Sequence, residues 1–566
     1  MPDQIQSYKV VSSGGLNANE NHLNLSENSP GAATRLINYE PSLFGGYRRI
    51  DGFAKYAAAF GEVSVAYNAN GSTTGQGEVL AICIFKNDVT GGTTVIAARQ
   101  DAGAATYSFY FFTADIGWRK YTLDHSASRA MTANGLTVKK LRHVQFNFGT
   151  GNKICFVDGV NEAIIFDGTH WEELKSSNDG GYIASSSHNS GNGTGGGDSA
   201  LNAPALVGVF ENHLFLAGHA ASAAAIAFSA PNDPYTFEVS SGAGQISAGF
   251  DVVQIKPFRD NLFIFGANAI KKVNVNSSGT FAIENVTANV GCVAPDSVLE
   301  IGGDLVFMSP SGIRPVAGTS RIGDVELSPL STSIQIKLVD AIANYDMLDL
   351  DGVVIRSKNQ LRYFVGDDAD AAAAADAIGF IGALTENSGA LKWEFGELLG
   401  IRTSCIVSDY IGTTEVILHG DYDGNVYQQE IGNSFNSQDI VGVYATPYYD
   451  FGETEQRKTM RKINTFVRAE GPIEMLLSVT YDWGDPNSVA PNTYTQNLSG
   501  APTVYSGRGV NFGASNVIYG GPSKPIITSD IQGSGFSTQA TFVTVGQLSS
   551  YTIQGMVFEF SAAGRR

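Results

Sequence analysis

The chain has 566 residues, of which 65 are glycine, and only 16% of its residues are charged. Its formal net charge is −19 at pH 7, which argues against a protein that coats nucleic acid, because such proteins neutralise phosphates with Lys and Arg. Abundant glycine with few charges is typical of many tight turns and much β-strand, so we expect an all-β fold.

The cysteines and the N-terminal residues exclude further classes of protein. Cys83, Cys155, Cys292 and Cys405 are far apart and form no C-x-x-C pair, so the sequence indicates neither a disulfide framework nor a zinc site. They are expected to be buried thiols. No basic segment followed by an apolar run begins the sequence, and nowhere do 18 apolar residues occur together. We therefore expect a soluble product that no signal peptide exports and no membrane-spanning segment.

Residues 1–62 form a loop-rich N-terminal arm with few periodic apolar positions of its own. Pro41, followed by Gly45 and Gly46, marks an irregular extended path. Such an arm must be ordered by packing on another part of the chain, and we expect it to pack on the C-terminal domain.

Residues 63–436 repeat one short pattern, in which a polar turn runs into an apolar strand. Residues 258–266 are the clearest copy. The first aliphatic residues of the copies are Ile154, Leu214, Leu262, Leu305, Leu361 and Val426. They lie 43 to 65 residues apart, which suits one four-stranded propeller blade with a variable loop.

A second mark follows most copies, an aromatic residue flanked by polar ones. It occurs at Trp171, Phe237, Phe281 and Trp393. Two marks in a fixed order favour a β-propeller of six or seven blades over a run of unrelated β-hairpins. Strands that are apolar on both faces, such as residues 79–85, favour sheets stacked around an axis.

After residue 436 the blade marks stop. Residues 437–566 are predicted to form a β-sandwich-like domain, to which the arm can add strands. The low-complexity segment at 185–199 is predicted to be a flexible surface loop. The segment at 367–375 is predicted to be a long blade loop, with a short helix as the alternative. Residues 492–535, rich in Gly, Asn, Ser, Thr and Pro, are predicted to be long exposed loops.

The search for catalytic motifs gives little. H-E-x-x-H, G-x-S-x-G and a dinucleotide fingerprint are all missing, and the eight histidines have no ligand spacing. We name no catalytic residue, no metal ligand and no cofactor, and we expect a protein that is not an enzyme.

Asp421, Asp423 and Asn425 place three oxygen-bearing side chains at alternating positions, as a calcium loop would. The bidentate acid that such a loop needs is at the wrong place, because the next acid is Glu430. An Asx-type turn between two strands explains the same residues and is favoured.

The densest charge run holds Arg457, Lys458, Arg461 and Lys462. The favoured interpretation is a solvated or salt-bridged face, which is common for such runs. The alternative is a ring of positive charge in an oligomer, where these residues contact a neighbouring subunit or the phosphates of passing DNA.

Three segments together resemble a known family. They are residues 35–52, the strand at 258–266, and residues 290–295 with 303–307. These segments are similar to the tail nozzle proteins of short-tailed bacteriophages, the tail tubular and packaged-DNA stabilisation proteins. The likeness spans the chain from the arm to about residue 470, and beyond it only the general pattern of a terminal β domain is similar.

The resemblance implies a virion structural protein that assembles in the bacterial host cytoplasm and lies in the virion tail. Six copies would surround a channel for double-stranded DNA, with a propeller projecting outward from each subunit. The hexamer would bind the head-to-tail adaptor on one side and fibre, spike or needle proteins on the other. An acidic lumen along which DNA slides without sticking agrees with the composition.

Two other classes remain open. A propeller-type glycan-binding protein or glycoside hydrolase would need arginines and carboxylates that converge at one mouth of the propeller, and the sequence offers no ordered set of them. A generic interaction propeller of the host cell is the third possibility.

Overall fold

The structure is a computed structural model. It describes residues 5–42, 45–56, 77–88, 91–101, 105–113, 117–120, 136–174, 203–219, 222–237, 239–276, 280–316, 329–365, 377–387, 390–484, 492–498 and 526–565. Almost all regular structure within these residues is β-strand. The predicted loops at 185–199 and 367–375 lie outside the described residues.

The N-terminal arm contains one short helix and five strands. They are β1 (Ile5–Val11), α1 (His22–Asn28), β2 (Arg35–Ile37), β3 (Tyr39–Pro41), β4 (Tyr47–Arg49) and β5 (Phe53–Lys55). As described below, these strands join three different sheets.

Four antiparallel sheets follow in chain order and form the first four blades. The first blade is β6 (Val79–Lys86), β7 (Thr93–Gln100), β8 (Thr106–Thr113), β9 (Gly117–Lys120) and β10 (Leu136–Thr137). The second is β11 (Arg142–Asn147), β12 (Asn152–Val157), β13 (Ile164–Phe166) and β14 (Trp171–Glu173). The third is β15 (Leu206–Phe210), β16 (His213–Ala217), β17 (Ala225–Phe228) and β18 (Gly244–Ser247). The fourth is β19 (Val252–Phe258), β20 (Asn261–Gly266), β21 (Ile270–Val275) and β22 (Phe281–Thr287).

Along the chain, the remaining propeller strands come before and after four strands that belong to a larger sheet. The fifth blade is β23 (Leu299–Ile301), β24 (Asp304–Ser309) and β25 (Gly312–Pro315). Next come α2 (Gln335–Asn344), β26 (Asp351–Ile355), β27 (Gln360–Phe364), β28 (Ile378–Asn387) and β29 (Ala390–Leu399). The sixth blade is β30 (Cys405–Ile411), β31 (Thr414–Gly420) and β32 (Val426–Gln429), and β5 of the arm pairs with β32 as its outer strand.

Six small sheets therefore form six blades of a β-propeller. Their first strands contact one another in sequence, and the fourth blade reaches the fifth through the 3-10 turn Pro295–Ser297. The ring closes through β26, which contacts β23 of the fifth blade and β30 of the sixth, and β30 contacts β6 of the first. The prediction of an all-β propeller is confirmed, with β26–β29 filling the position between blades five and six.

The repeated turn in the sequence corresponds to the connection that leads into the second strand of a blade. Its residues adopt positive φ at Glu211 and Asn212, at Arg259, and at Asn359, as tight turns between right-twisted strands require. Leu214, Leu262, Leu305 and Leu361 all lie on second strands and are fully buried. Val426 differs, because it opens the third strand of its blade.

Beyond the propeller the chain forms two packed sheets. The strands are β33 (Ile440–Ala445), β34 (Gln456–Ala469), β35 (Ile473–Tyr481), β36 (Asn492–Leu498), β37 (Ile526–Asp530), β38 (Ser534–Gly535), β39 (Thr538–Gly546) and β40 (Tyr551–Arg565). One sheet has the order β3-β4-β40-β34-β37, with β1 on β40 and β38 on β34. The other continues from β29 through β2, β33, β39 and β35 to β36.

The facing sides of these two sheets bury one core, which includes Tyr444, Leu477, Phe542, Met556 and Phe558. The predicted β-sandwich-like region is thus confirmed, and arm strands belong to both of its sheets. The prediction that 492–535 is loop was wrong where β36, β37 and β38 lie; residues 499–525 are outside the described residues.

Candidate functional site

The cationic run of the sequence lies on β34, and Lys458 differs from the other three residues. Its side chain is buried, with 1% of the residue exposed. Nζ donates to the carbonyl oxygens of Glu453 and Phe536, the second at 3.1 Å. Burial lowers the pKa of Lys458, an effect that nearby carboxylates partly offset. Lys458 therefore ties β34 to its own neighbours and is not available to a partner.

The exposed members of the run are Arg457, Arg461 and Lys462. Lys462 Nζ lies 3.5 Å from Asp530 Oδ1, and Arg461 Nε donates to Ser561 Oγ at 3.2 Å. A register shift between Met460 and Lys462 interrupts the pairing of β34 with β40. In a regular strand Arg461 and Lys462 would point to opposite faces, and the bulge instead leaves both in solvent.

A second group of charges, the axial cluster, lies on and beside the inner strands of the propeller. Its members are Lys140, Arg142, His143, Lys256, Asp296 and Asp351.

Ion pairs of the axial cluster join opposite sides of the propeller. Arg142 on β11 forms a bidentate pair with Asp296, in the 3-10 turn that leads into the fifth blade, with Nε–Oδ1 and Nη2–Oδ2 both at 2.8 Å. Lys140 Nζ lies 3.4 Å from Asp296 Oδ2 and 3.7 Å from Asp351 Oδ2 at the start of β26. Because the second and fifth blades face each other across the ring, these pairs cross the axis.

The two carboxyl groups of the axial cluster titrate differently. Burial alone would raise the pKa of Asp296, but Arg142 and Lys140 lower it to about 2. Burial raises the pKa of Asp351 to about 6, because Lys140 offsets it only in part and Asp296 adds to it. Burial, with the charge of Lys256, lowers the pKa of His143 to about 4, so this ring is neutral at pH 7.

Separated carboxyl pKa values are typical of an acid and base pair in an enzyme. Here both oxygens of Asp296 accept from Arg142. Asp351 Oδ1 accepts from the N–H of Gly352 at 2.8 Å, and Oδ2 accepts from that of Ile406 at 3.1 Å. Since these oxygens are engaged within the chain, the geometry suits a cross-link between blades better than proton transfer to a substrate.

A third group of charges, the ionic junction, lies where the arm meets the propeller and the sandwich. Its members are Glu40, Arg48, Asp51, Lys358, Arg362, Glu430 and Glu470.

Arg48 of β4 binds three carboxylates of the ionic junction. Nε lies 2.6 Å from Glu470 Oε1, Nη2 lies 2.8 Å from Asp51 Oδ1, and Nη1 lies 3.0 Å from Glu40 Oε1. Burial opposes the charge of Arg48, but these partners raise its pKa. The guanidinium therefore links the arm hairpin to the end of β34.

The propeller side of the ionic junction is built in the same way. Lys358 Nζ lies 2.8 Å from Glu40 Oε1 and 2.5 Å from Glu430 Oε2, and Arg362 Nη2 lies 2.5 Å from Glu430 Oε1. Burial would raise the pKa of Glu430, but Lys358 and Arg362 hold it well below its usual range. Breaking such a pair leaves a buried charge uncompensated, which is strongly destabilising.

The turn at Asp421 is the favoured Asx-type turn. Asp421 Oδ1 accepts from the N–H of Asp423 at 3.0 Å and from that of Asn425 at 2.7 Å. Within the described part of the chain, no group of three or more His, Cys, Asp or Glu could hold a metal ion. The four cysteines are buried free thiols, as predicted.

Sequence reasoning found the run on β34 but missed both buried charge clusters. Glu40 lies 318 residues before Lys358, and Lys358 lies 72 residues before Glu430, so no local pattern joins them. The one available signal was charge inside otherwise apolar strands, as at Arg362, because a buried charge must find a partner.

Comparisons with known proteins do not assign the chain to a family. No family model and no curated protein match the sequence. The extracellular domain of a hybrid two-component system from B. thetaiotaomicron is similar in structure, with TM-score 0.34 and 8% identity, over 80% of this chain and 45% of that one. An ancestral GH74 enzyme gives TM-score 0.36 and 10% identity, over 70% and 50%.

The chain spans about half the length of these two structures, and likenesses this weak carry no activity to it. Among the helices of the described residues, none is long and apolar enough to cross a membrane.

Proposed function

We propose that the chain is a structural subunit of the tail nozzle of a short-tailed bacteriophage, located in the virion tail. Six copies form a conduit that retains and then passes genomic DNA. The hexamer links the head-to-tail adaptor to fibre, spike or needle proteins. The observation that carries the proposal is the position of residues 35–52, one of the three segments that resemble that family, at the joint between propeller and sandwich.

Side chains of this segment hold the joint through buried hydrogen bonds. Asn38 has a φ of 56°, and its Nδ2 donates to Leu399 O at 3.0 Å and to Val441 O at 2.8 Å. Arg49 is fully buried and donates to two carbonyl oxygens of the β39–β40 connection, both at 2.6 Å. With the ionic junction, these contacts make one rigid subunit, which suits a part of a load-bearing assembly.

The axial cluster supports a conduit built between subunits. Ion pairs that cross the propeller axis leave no open path for a DNA duplex through the blades. In the proposed hexamer the channel therefore lies between copies, and the propellers lie outside it. A net charge of −19 keeps passing DNA from adhering to the wall.

A propeller-type glycoside hydrolase is the main rival. It needs two carboxyl groups that are free to reach a glycosidic bond. Asp296 and Asp351 are the candidates by pKa, and their oxygens are engaged by Arg142, Lys140 and backbone N–H groups. Among the described residues of the axial cluster, neither carboxyl group is therefore free to act as the acid or the base of a hydrolase.

Electron microscopy of the purified full-length chain tests the proposal. Rings with sixfold symmetry are expected, with one propeller projecting from each subunit. Single propellers at every protein concentration would contradict the nozzle and favour a glycan-binding protein or an interaction propeller. Hydrolysis of a glycan that is lost in Asp351→Asn would instead favour the hydrolase.

A further inference from the structure

The outward side of one sandwich sheet is apolar. On β33, β39 and β35, the residues that alternate with the core residues Tyr444, Phe542 and Leu477 point away from the core. These outward residues, called the valine face, are Val441, Val443, Val543, Val545 and Leu476. Val443, Val543 and Leu476 stand side by side across the three strands, and Val441 stands opposite Val545.

The valine face is exposed and carries almost no charge. Val545 is 61% exposed, and Val441 and Leu476 are each 39% exposed. Glu474 is the only charged residue of the strands β33, β35, β36 and β39. The solvated side of an antiparallel sheet is usually polar, and a contiguous exposed apolar patch marks an interaction site. The valine face therefore needs a partner that covers it.

The size of the valine face suits a contact between proteins. Neighbouring strands lie about 4.8 Å apart and rise about 3.4 Å per residue, so four strands of about seven residues cover about 450 Å². Apolar patches of about 300–600 Å² on single proteins are often functional. A standard interface takes about 800 Å² from each partner, so a polar rim must complete this contact. The rim supplies two exposed carboxylates, Glu474 on β35 and Asp439 before β33.

The outward side of the opposite sheet, called the β34 face, has an apolar row of its own. Val11, Phe466 and Ile526 stand in this row across β1, β34 and β37, with Gly555 of β40 between the first two. Val11 is 54% exposed and Ile526 is 41% exposed. Neither β1 nor β34 contains an acidic residue. Their exposed cations are Lys9, Arg457, Arg461, Lys462 and Arg468.

We propose that the valine face of one copy packs on the β34 face of a second copy of this chain. The apolar rows of the two faces interdigitate, as side chains do between packed sheets, and Glu474 and Asp439 lie at the rim to meet the cations. A net charge of −19 makes most surfaces of two copies repel each other. These two faces avoid that repulsion, because an excess of cations meets a nearly neutral surface.

A contact between two different faces builds a ring or an open chain of copies. The two faces lie on opposite sides of one sandwich, so each copy offers one face to each of two neighbours, and a rotation that closes gives a ring. The inference rests on the proposed hexamer and adds the surface that receives the cations of β34. Contact between two valine faces would give pairs only and would leave both β34 faces exposed.

Two variants, each with one face blocked, test the contact. Val441→Lys with Val545→Lys blocks the valine face, and Val11→Lys with Ile526→Lys blocks the β34 face. Because all four side chains are exposed, both variants should fold with an unchanged thermal melt.

Sedimentation measures the assembly of each variant and of their mixture. Each variant alone should stay a single copy, with association weakened by at least about a hundredfold, because the contact would bury lysines without partners. An equimolar mixture should form pairs, because one intact face of each kind remains. The matched control, Val239→Lys with Val275→Lys, changes valines of the propeller that are 54% and 41% exposed and should assemble as the unaltered chain does.

The outcomes separate this contact from the nozzle. Sixfold rings that tolerate both blocked variants, or a mixture that stays single, would overturn the contact alone. Pairs formed by the β34-blocked variant by itself would assign the contact to two valine faces and would also overturn it. If the mixture pairs but the unaltered chain forms open chains or rings of another number, the contact stands and the hexameric nozzle fails. An unaltered chain that stays single at every concentration overturns both.

Discussion

Lys458 and Arg457 are adjacent cations with different physical roles. The buried Lys458 side chain donates from its ammonium to the partly buried carbonyl oxygens of Glu453 and Phe536, whereas Arg457 is exposed and its Nη2 donates to Ser534 O at 3.3 Å. Because an unpaired buried carbonyl loses its water without gaining a partner, removal of Lys458 affects stability more than removal of Arg457.

Lys458→Met should lower the free energy of unfolding by about 1 kcal/mol, since two partly buried acceptors lose their donor. Arg457→Ser should change it by no more than about 0.5 kcal/mol, as surface substitutions do. Urea unfolding of both variants measures the difference. Equal stability of the two would refute the inward role of Lys458.

Sequence reasoning treated the four cations as one group, because strand alternation alone does not locate a bulge. The shift at Met460 depends on how β34 pairs with β40, and β40 lies about a hundred residues later in the chain. Buried aliphatic positions were easier to predict from the sequence, because the repeated pattern places Leu262 and its equivalents at the same point of each turn and strand.

Among the elements, the β3–β4 hairpin of the arm is the one that connects the propeller to the sandwich. Through Arg48 it contacts the end of β34, and through Glu40 it contacts the turn before β27 and Arg362 of β27. This hairpin holds the propeller against the sandwich by paired buried charges.

Arg48→Met should destabilise the protein at pH 7 by about 3–5 kcal/mol, because Glu40, Asp51 and Glu470 lose their shared partner. The hydrogen bond from Arg48 lowers the pKa of Glu470, against a smaller opposing effect of burial, and paired cations lower that of Glu40 despite burial. Carboxyl groups with lowered folded pKa stabilise above their unfolded pKa, near 4.3, and lose this contribution as the pH falls further.

The stability difference between Arg48→Met and the unaltered chain should therefore shrink as the pH falls below about 4. Urea unfolding at pH 7 and below pH 4 measures it. Arg35→Met, an exposed arginine of the same arm, is the control and should show little effect at either pH. A constant difference across this range would contradict the ionic role of Arg48.

Leu262→Asp tests the packing of the second strands. Leu262 is fully buried between neighbouring blades, so an unpaired charge there should cost several kcal/mol and prevent folding. Ile283→Asp, on the outer strand of the same blade and 39% exposed, should fold. Soluble yield and thermal melting compare them, and a normal melt for Leu262→Asp would contradict the burial.

At the scale of elements, the sequence predicted the features that neighbouring residues determine, and it did not predict the pairing of distant segments. The polar turn and apolar strand predicted the blades because both signals lie within about ten residues. β5 pairs with β32, which places Phe53 opposite Gln429, and neither segment contains a pattern that predicts this pairing. The charge clusters were missed for the same reason, since each assembles residues from several distant elements.

At the scale of the whole molecule, the proposed conduit requires a rigid subunit, an acidic wall and contacts between copies. The ionic junction and the axial cluster support the first, and the net charge of −19 supports the second. The exposed cations of β34 are the candidates for contacts between copies, because a neighbouring copy of an acidic chain presents many carboxylates that can pair with them.

Replacement of Arg457, Arg461 and Lys462 by serine tests this contact. Lys458 stays, because its loss would confound assembly with stability. We expect the variant to fold with an unchanged thermal melt and to lose its oligomers in electron microscopy and sedimentation. The matched control replaces Lys139, Arg259 and Arg356, three exposed cations of the propeller, and should assemble normally.

The same variant separates contact between subunits from retention of DNA. Normal rings in particles that leak their genome would assign the three cations to a ring that touches DNA, because the wall would then have lost its few attractive charges. Normal rings with a retained genome would remove both roles. The unaltered isolated chain should bind free duplex DNA weakly at every salt concentration, since its net charge repels phosphates. Tight binding that weakens steeply with salt would contradict the conduit, because it would require a basic surface that a net charge of −19 does not favour.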